Sequence, residues 1–354
     1  MTAAAPAEAL LKVTGLTVAF STPQGLLRAV DGVDLHVARG ETLGIVGESG
    51  SGKSATLRAI MGLLPPGTAA WSGSVLFGGR ELVGLPRREL RRLWGTDLSI
   101  VLQNPMTSLN PVVRVGRQLG EVLLTASGAR RGEKQRRAAE LLRSVGIPEP
   151  ERRLRQYPHQ LSGGMRQRIA IAIAIAGDPA LLLADEPTTA LDVTVQKQIL
   201  DLLATLRDGR HMGMIIVTHD LGVVATRTDQ IIVMYAGQVV EQAPTRELFR
   251  STRMPYTEAL LRSVPRLGRK PHEPLEAIPG QPPVLTSRPA GCRFAPRCRY
   301  ARQRCREAMP PLAPVAGAPR HLVRCWFPVD TAAGQAPASA ALAAAPGGPG
   351  EGGS

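Results

Sequence analysis

The stretch GESGSGKS at residues 47–54 constrains the fold more than any other part of the sequence. It follows the apolar run TLGIV at 42–46 and precedes KSATLRAIMGL at 53–63, where apolar residues recur at helical spacing. The pattern G-x-x-x-x-G-K-[S/T] between a strand and a helix is typical of a loop whose backbone N–H groups surround phosphate oxygens. We therefore predict a strand, a phosphate-binding loop and a helix in succession.

Each residue type in this loop has an expected role toward a nucleotide. The glycines let the backbone curl around phosphate oxygens, and the following helix adds the positive end of its dipole. Lys53 is expected to contact the β- and γ-phosphates, and the hydroxyl of Ser54 to ligate Mg²⁺. The residues predicted to contact the nucleotide are Gly47, Ser49, Gly50, Gly52, Lys53 and Ser54.

Two later apolar runs indicate further strands of the same sheet. LLLADEP at 181–187 and MIIVTHD at 214–220 both end in polar residues, and helical segments separate the apolar runs. This alternation predicts a parallel α/β sheet. Asp185 is expected to hold the Mg²⁺ shell, and Glu186 to polarise the water that attacks the γ-phosphate. An acidic pair alone is compatible with a solvated strand edge, but its combination with the phosphate loop favours catalysis.

The stretch LSGGMRQR at 161–168 predicts a second anion-binding helix start, with Ser162, Gly163 and Gly164 at its N-terminus. The run IAIAIAIA at 169–176 alternates like a strand. We predict a helix instead, because the run continues from GGMRQR without a break and ends at Gly177. Two phosphate-binding helix starts for one nucleotide indicate a head-to-tail pair of chains, each closing on the ATP held by the other.

Taken together, these stretches resemble the ATP-binding cassette (ABC) ATPases, in which LSGGMRQR corresponds to the signature motif. The resemblance covers about residues 10–264. It implies an α/β fold of the P-loop NTPase (RecA-like) type, an ABC ATPase domain with a helical subdomain at about 104–176. It also implies hydrolysis of ATP with Mg²⁺ as cofactor.

The same resemblance implies roles for four further residues. Gln103, in VLQNP, resembles the glutamine that senses Mg²⁺ and water beside the contact with a membrane subunit. Asp192, in ALD, resembles the aspartate that reaches across the dimer, and His219, in VTHD, the histidine that steadies the γ-phosphate and attacking water. Phe20, in LTVAF, falls where the family stacks a ring on adenine, although an isolated phenylalanine of this kind is more often a core residue.

Three stretches resemble one group within this family, the ATPases of bacterial oligopeptide and dipeptide importers, which also serves nickel and other solutes. They are LQNPMTSLNP at 102–111, DEPTTALDVTVQ at 185–196 and PGQPPVLTSRPAGCRFAPRC at 279–298. The resemblance implies an ATP-hydrolysing subunit that powers an importer through ATP-driven dimerisation. The implied partners are transmembrane permease subunits, a second ABC ATPase of the same or a paralogous chain and, indirectly, an extracytoplasmic solute-binding protein. Peptide is the expected cargo, with nickel or another small solute as the alternative.

All four cysteines, Cys292, Cys298, Cys305 and Cys325, lie near the end of the chain with the spacing C-x5-C-x6-C-x19-C. This spacing lacks the close pairs of structural zinc sites, and four thiolates are also the ligands of iron–sulfur clusters. Some relatives with this extension carry a [4Fe–4S] cluster, so the resemblance favours that occupant over Zn²⁺ or unligated thiols. The expected role is structural, because the segment looks too small to make its own core.

The net charge of +14 is compatible with a nucleic-acid partner, an anionic lipid surface, an acidic protein or simple compositional bias. Aromatic residues make up only 3%, too few for base-stacking platforms. We therefore expect no nucleic acid, and a soluble nucleic-acid-acting cassette ATPase is the less favoured alternative.

No apolar run approaches the roughly 20 residues that span a bilayer, and the N-terminus lacks a signal-peptide pattern. The expected location is peripheral, on the cytoplasmic face of the plasma (inner) membrane. The predicted organisation is an ABC ATPase domain at 1–264, a cysteine-containing extension at 265–330 and a disordered, low-complexity tail at 331–354.

Overall fold

The strands of the protein form two sheets in a computed structural model that describes residues 9–103, 108–126, 132–189, 191–263, 278–283, 285–286 and 289–329. One sheet is antiparallel with strand order β2-β1-β4-β5, and the other has the order β11-β12-β10-β9-β3-β8-β7-β6 in the strand numbering that follows. The strands are β1 (Ala9–Thr22), β2 (Gly25–Ala38), β3 (Thr42–Val46), β4 (Ala69–Phe77), β5 (Arg80–Glu81), β6 (Leu98–Val101), β7 (Leu181–Asp185), β8 (Gly213–Thr218), β9 (Gln230–Tyr235), β10 (Gln238–Pro244), β11 (Ala313–Val315) and β12 (Ala318–Val323).

Helices occupy most of the segments between the strands of the larger sheet. They are α1 (Lys53–Ile60), α2 (Arg87–Leu93), α3 (Val115–Ala126), α4 (Lys134–Ser144), α5 (Pro150–Arg153), α6 (Gly163–Ile175), α7 (Val193–Arg210), α8 (Leu221–Ala225), α9 (Thr245–Arg250), α10 (Pro255–Ser263) and α11 (Gln303–Glu307). A 3-10 turn at Pro158–Gln160 precedes α6. The alternating IAIAIAIA run lies in α6, apart from its last residue, so its prediction as a helix is confirmed.

The centre of the larger sheet is parallel, as the sequence predicts. Strands β6, β7, β8, β3 and β9 pair side by side in the same direction. Strands β3, β7 and β8 are buried along their whole length, because layers of side chains cover both faces of the sheet. The register places Val46 opposite Thr218 and Asp185 opposite Val217, so these three strands end at the same edge.

Alternate residues of β7 and β8 point to opposite faces of the sheet and enter two different cores. Leu182, Ala184, Met214 and Ile216 pack with apolar residues of α3, α4, α6 and α7. Leu181, Leu183, Ile215 and Val217 pack with the antiparallel sheet and α1. The helices of residues 115–175 thus form one layer on a single face of the sheet, within the range expected for a helical subdomain.

The cysteine-containing extension is built into the larger sheet. Strand β12 pairs antiparallel with β10, through Glu241 opposite Val323 and Gln242 opposite Leu322, and β11 pairs with β12. Its residues Leu285, Phe294 and Val323 are buried in a core shared with β9, β10 and α10. The segment is expected to be too small to make its own core, and its buried residues pack in a core that it shares with the ATPase.

Within the described ranges, no helix combines the length and the apolarity needed to cross a bilayer. The predicted disordered tail at 331–354 and the start of the predicted extension at 265–277 lie outside the described residues.

A buried ion pair joins the extension to the rest of the molecule, and its loss should destabilise the protein. Arg293 contacts Asp31, which lies 262 positions earlier in the sequence. Each of the two side chains is only 4% exposed. We expect Arg293→Ala to lower the free energy of unfolding by about 3–5 kcal/mol, because it leaves the Asp31 carboxylate buried without this partner. Urea denaturation followed by circular dichroism measures the change. Arg320→Ala, on the exposed side of β12, is the control and should stay near wild type; equal loss in both variants would contradict the assignment.

Candidate active site

The phosphate loop follows β3 and needs glycine at two positions for steric reasons. Gly47 and Gly52 have φ values of 153° and 102°, a region that other residues avoid. A Cβ at Gly47 would lie 2.2 Å from the carbonyl oxygen of Met234, and one at Gly52 would lie 2.3 Å from that of Ala29. Backbone from β9 and β2 therefore confines the loop, which positions its N–H groups before any ligand arrives.

Lys53, the first residue of α1, points back into this loop. Its Nζ donates to the carbonyl oxygens of Gly47 at 2.7 Å and of Glu48 at 2.9 Å. Burial lowers the pKa of Lys53, while the negative charges of Glu186, Asp185 and Glu48 act in the opposite direction. A phosphate in the loop would add a further negative charge beside this buried ammonium group and favour its charged form.

Ser54 and Asp185 meet where α1 begins and β7 ends. The Ser54 hydroxyl donates to Asp185 Oδ1 at 2.8 Å. Burial raises the pKa of Asp185, an effect that the hydrogen bond from Ser54 opposes. A hydroxyl and a carboxylate oxygen at this separation are hard ligands of the kind that Mg²⁺ binds. The donor set therefore fits the magnesium ion predicted here.

Glu186 lies one residue beyond Asp185 and gathers three polar side chains around one oxygen. Its Oε2 accepts from Gln103 Nε2 at 2.9 Å and from Thr189 Oγ1 at 2.8 Å, and lies 3.4 Å from His219 Nδ1. Glu186 also has a φ of 46°, the left-handed region that a glutamate rarely adopts. The structure thus brings together Gln103, Glu186 and His219, which the sequence analysis predicted from separate motifs.

Thr189 is a site residue that the sequence analysis missed. It lies in DEPTTALD, three residues after Glu186, and the tight turn after β7 returns its hydroxyl to the carboxylate. The backbone N–H of Thr189 also donates to the Glu186 carbonyl at 3.2 Å. The only signal in the sequence was that a hydroxyl residue follows the acidic pair at a turn spacing.

The residues of the predicted second anion site, Ser162 to Gly164, lie at the start of α6, and Asp192 lies at the start of the neighbouring α7. Ser162 caps α6 by accepting from the N–H of Met165 at 3.3 Å, and Asp192 caps α7 by accepting from Val195 at 2.9 Å. A Cβ on Gly164 would lie 2.9 Å from the Val195 side chain, so the two helix starts pack closely, with Gly163 beside Leu191. Within the described part of the chain, the hydrogen bonds of Ser162 and Asp192 stay within this helical layer.

Phe20, the predicted adenine-stacking residue, lies on β1 opposite Leu27 of β2. It is partly buried and packs against the core beneath the antiparallel sheet. Its position is therefore compatible with both interpretations, because one part of the ring contacts the core and another remains accessible.

The extension brings its four cysteines onto one cavity. Cys292, Cys298, Cys305 and Cys325 line it as free thiols, together with aromatic side chains that include Phe294 and Trp326. Burial raises the pKa of Cys292 and Cys298 and raises that of Cys325 to about 12. A metal must displace these protons, so binding would release them and strengthen as the pH rises.

The geometry does not by itself establish a metal centre at this cavity. Among the described residues, no group of three or more His, Cys, Asp or Glu side chains is arranged to hold a metal ion. The predicted iron–sulfur cluster and its zinc alternative are therefore not shown, whereas the convergence of the four thiols is.

Two family descriptions match the chain. The family described as "ABC transporter" matches residues 30–189, and the one described as "Oligopeptide/dipeptide transporter, C-terminal region" matches residues 240–305. The first range contains the phosphate loop, Gln103, Ser162 and Glu186. The second contains most of β10 and three of the four cysteines.

Curated relatives match over nearly the whole chain. The oligopeptide transport ATP-binding protein OppD of Bacillus subtilis (strain 168) is 48% identical over 319 residues, covering 90% of this chain and 88% of the relative. The dipeptide transport ATP-binding protein DppD of Haemophilus influenzae is 47% identical over 322 residues, covering 91% and 96%. A solved dimeric ATP-binding cassette, MJ0796, bound to ADP and Pi, is 31% identical with a TM-score of 0.60, covering 67% of this chain and 99% of its own.

The confinement of Gly52 generates a prediction about the phosphate loop. We expect Gly52→Ala to weaken ATP binding by about tenfold or more, because the added Cβ forces the loop away from Ala29 and displaces its N–H donors. Binding of a fluorescent ATP analogue measures the change. Gly78→Ala is the matched control, since Gly78 has a φ of 54° and open space around its Cβ position. Wild-type affinity in Gly52→Ala would contradict the assigned geometry.

Proposed function

Because the chain belongs to the ABC transporter ATPases, in the group of oligopeptide and dipeptide transport ATP-binding proteins, we propose that it is the ATP-hydrolysing subunit of a peptide importer. The observation that carries the proposal is the convergence on Glu186 of Gln103, Thr189 and His219, next to the Ser54–Asp185 pair. These groups come from four separate segments of the chain, and they are the parts that hydrolysis of a nucleotide requires.

The phosphate loop is proposed to hold the triphosphate of ATP. Its backbone N–H groups and the start of α1 surround the phosphates, and Lys53 exchanges its present carbonyl contacts for phosphate oxygens. Ser54, Asp185 and Gln103 would hold the magnesium ion, which would supply positive charge beside the phosphates. Phe20 would contact the adenine from near the end of β1.

Glu186 is proposed as the general base. Its carboxylate takes a proton from the attacking water, and the three contacts on Oε2 fix its orientation. The oxygen Oε1 takes part in none of those three contacts and is the atom proposed to face the water. His219 is proposed to steady the γ-phosphate, since its ring lies beside Glu186 and is 62% exposed.

A second cassette, of the same or a related chain, is proposed to complete the site. In this arrangement Ser162, Gly163 and Gly164 of one chain close on the ATP of the other, and Asp192 lies at the junction. The capped, closely packed starts of α6 and α7 support this, because they form a preformed anion-binding surface on the helical layer. Closure would act on permease subunits through the surface near Gln103, with the chain peripheral on the cytoplasmic face of the membrane. Upstream of these subunits, an extracytoplasmic solute-binding protein would supply the peptide.

The four cysteines are proposed to hold a [4Fe–4S] cluster. Support comes from the four free thiols on one cavity, which apolar and aromatic side chains also line. Four cysteine thiolates are the ligand set that holds a [4Fe–4S] cluster. When bound, such a cluster would supply a covalent staple between the turn that carries Cys292 and Cys298, helix α11 and the end of β12.

The role proposed for Glu186 predicts a separation of binding from turnover. We expect Glu186→Gln to bind ATP with near wild-type affinity while hydrolysis falls by about 10²–10⁴-fold, because the amide cannot accept the proton. Equilibrium binding and phosphate release measure the two steps. Glu140→Gln on the exposed face of α4 is the matched control. Hydrolysis at the normal rate in Glu186→Gln would show that another group is the base.

The same variant tests the proposed transport function in cells. A strain that lacks this chain should lose uptake of labelled peptide, recover it with the wild-type chain and fail to recover it with Glu186→Gln. Labelled nickel taken up in place of peptide would contradict the proposed cargo and leave the ATPase assignment standing.

The cysteine proposal predicts the metal content of the protein. We expect anaerobically purified protein to carry about four iron and four acid-labile sulfide atoms per chain, the content of one cubane cluster. Both should be lost in Cys292→Ser, which removes a ligand. Trp326 lines the same cavity without being a ligand, so the Trp326→Phe variant should keep its iron and sulfide. Zinc without sulfide, or wild-type protein without metal, would contradict the cluster.

A further inference from the structure

Glu48 is a phosphate-loop residue that forms hydrogen bonds both within the loop and to residues outside it. Its backbone N–H donates to the hydroxyl of Tyr256 at 2.9 Å. Its carbonyl oxygen accepts from Lys53 at 2.9 Å and from the N–H of Ser51 at 3.2 Å. The conformation of Glu48 therefore determines where the first half of the loop lies and which way Lys53 points.

The side chain of Glu48 is held by an arginine of the extension. Arg297 Nη1 contacts Glu48 Oε2 at 2.7 Å, and Arg297 Nη2 contacts Oε1 at 2.9 Å, a two-point pair that fixes the plane of the carboxylate. The hydrogen bonds that Arg297 donates to Glu48 raise the pKa of Arg297, so the guanidinium stays charged. The side chain of Arg297 is only 5% exposed, and that of Glu48 is 26% exposed.

The backbone of the extension holds Arg297 in place. Its Nε donates to the carbonyl oxygen of Pro279 at 2.8 Å, and Nη2 also lies 3.3 Å from that of Ile278. The guanidinium lies over the ring of Tyr235, 5.8 Å from its centroid. Arg297 directly precedes Cys298, so the same turn lines the thiol cavity and contacts the phosphate loop.

The extension approaches the loop from a second side. A cavity of about 290 Å³ separates Ser49 and Gly50 from Pro282 and Pro283. Phe294 of the extension packs edge-on against Tyr256, with ring centroids 5.3 Å apart, and Tyr256 is the residue that accepts from the N–H of Glu48. The extension thus touches the loop directly through Arg297 and indirectly through Tyr256.

A carboxylate in a phosphate-binding loop has an electrostatic cost. Its negative charge opposes the entry of a triphosphate, and at short range in a partly buried site salt screens such repulsion only weakly. The charge of Glu48 reaches the centre of the site, because it is among the groups that act on the pKa of Lys53. The two-point pair with the buried Arg297 guanidinium neutralises the negative charge of Glu48.

We propose that Arg297 is a positioning residue for ATP binding, which neutralises Glu48 and holds its side chain so that the phosphate loop accepts the triphosphate. The inference rests on the proposed ATP site in that loop. It assigns the cysteine-containing extension a part in nucleotide binding, in addition to its packing on β10. Arg297 acts through Glu48 and needs no contact with the nucleotide.

The test compares the removal of one charge with the removal of both. Arg297→Met keeps the length and apolar stem of the side chain but not its charge, and should weaken binding of a fluorescent ATP analogue by about tenfold, measured at low salt in the full-length protein. Arg297→Lys should keep most of the affinity. The double variant Arg297→Met with Glu48→Gln should recover to within about threefold of wild type, because no uncompensated charge is left.

A neighbouring arginine provides the matched control. Arg299 flanks Cys298 on its other side and pairs with Glu258, which belongs to α10. Arg299→Ala should therefore leave ATP affinity unchanged while perturbing the same segment of the extension. Thermal unfolding without nucleotide, measured for every variant, separates loss of affinity from loss of fold.

Each outcome bears on a different part of the inference. Wild-type affinity in Arg297→Met overturns it, and so does a double variant as weak as Arg297→Met, which would mean that Arg297 only anchors the extension. Should Arg297→Met fail to fold, Glu48→Gln alone decides: it should bind at least as tightly as wild type, and weaker binding overturns the proposal. Absence of binding by the wild-type protein would instead contradict the ATP site itself.

Discussion

The parallel alignment of β3, β7 and β8 is the constraint on which the rest of the site depends. The phosphate loop begins directly after β3, Asp185 ends β7 with Glu186 behind it, and His219 follows β8. Parallel pairing in register delivers all of these groups to one edge, where the carboxyl ends of the strands meet. Because the strands are fully buried, a shift of register would break both cores at once, so the edge is held firmly.

Burial around this edge explains the electrostatics of the site. Lys53 and Asp185 are both nearly inaccessible to solvent. Burial lowers the pKa of Lys53 and raises that of Asp185, and so favours the neutral form of each side chain. Oppositely charged neighbours work against that effect, so the charge states of Lys53 and Asp185 reflect a balance of desolvation and attraction. MgATP would supply the charges that this balance lacks. The left-handed backbone of Glu186 belongs to the same arrangement, because it turns the chain back so that Thr189 reaches the carboxylate.

The extension is part of the ATPase, not an appendage to it. Strand β12 continues the main sheet, and Phe294 completes an aromatic cluster with Tyr235 and Tyr256. The residues beside the cysteines point the other way, into the ATPase: Arg293 follows Cys292 and reaches Asp31, while Arg297 precedes Cys298 and reaches Glu48. The thiol cavity and the phosphate loop therefore lie on opposite sides of one short turn.

The sequence by itself determined those features whose chemistry is local. The spacing of glycines, lysine and serine in GESGSGKS specifies a phosphate loop, because backbone donors and a helix start adjoin it in the chain. The apolar runs followed by Asp185 and His219 predicted parallel strands. The absence of a turn signal between GGMRQR and IAIAIAIA predicted that the two stretches form one helix. Only the tertiary structure decided which distant groups meet. Strand order brings Thr189, Gln103 and His219 to one oxygen of Glu186. The docking of the extension pairs Arg297 with Glu48, which lies 249 positions away in the sequence. No local spacing encodes such contacts, because burial and packing across separate segments select them.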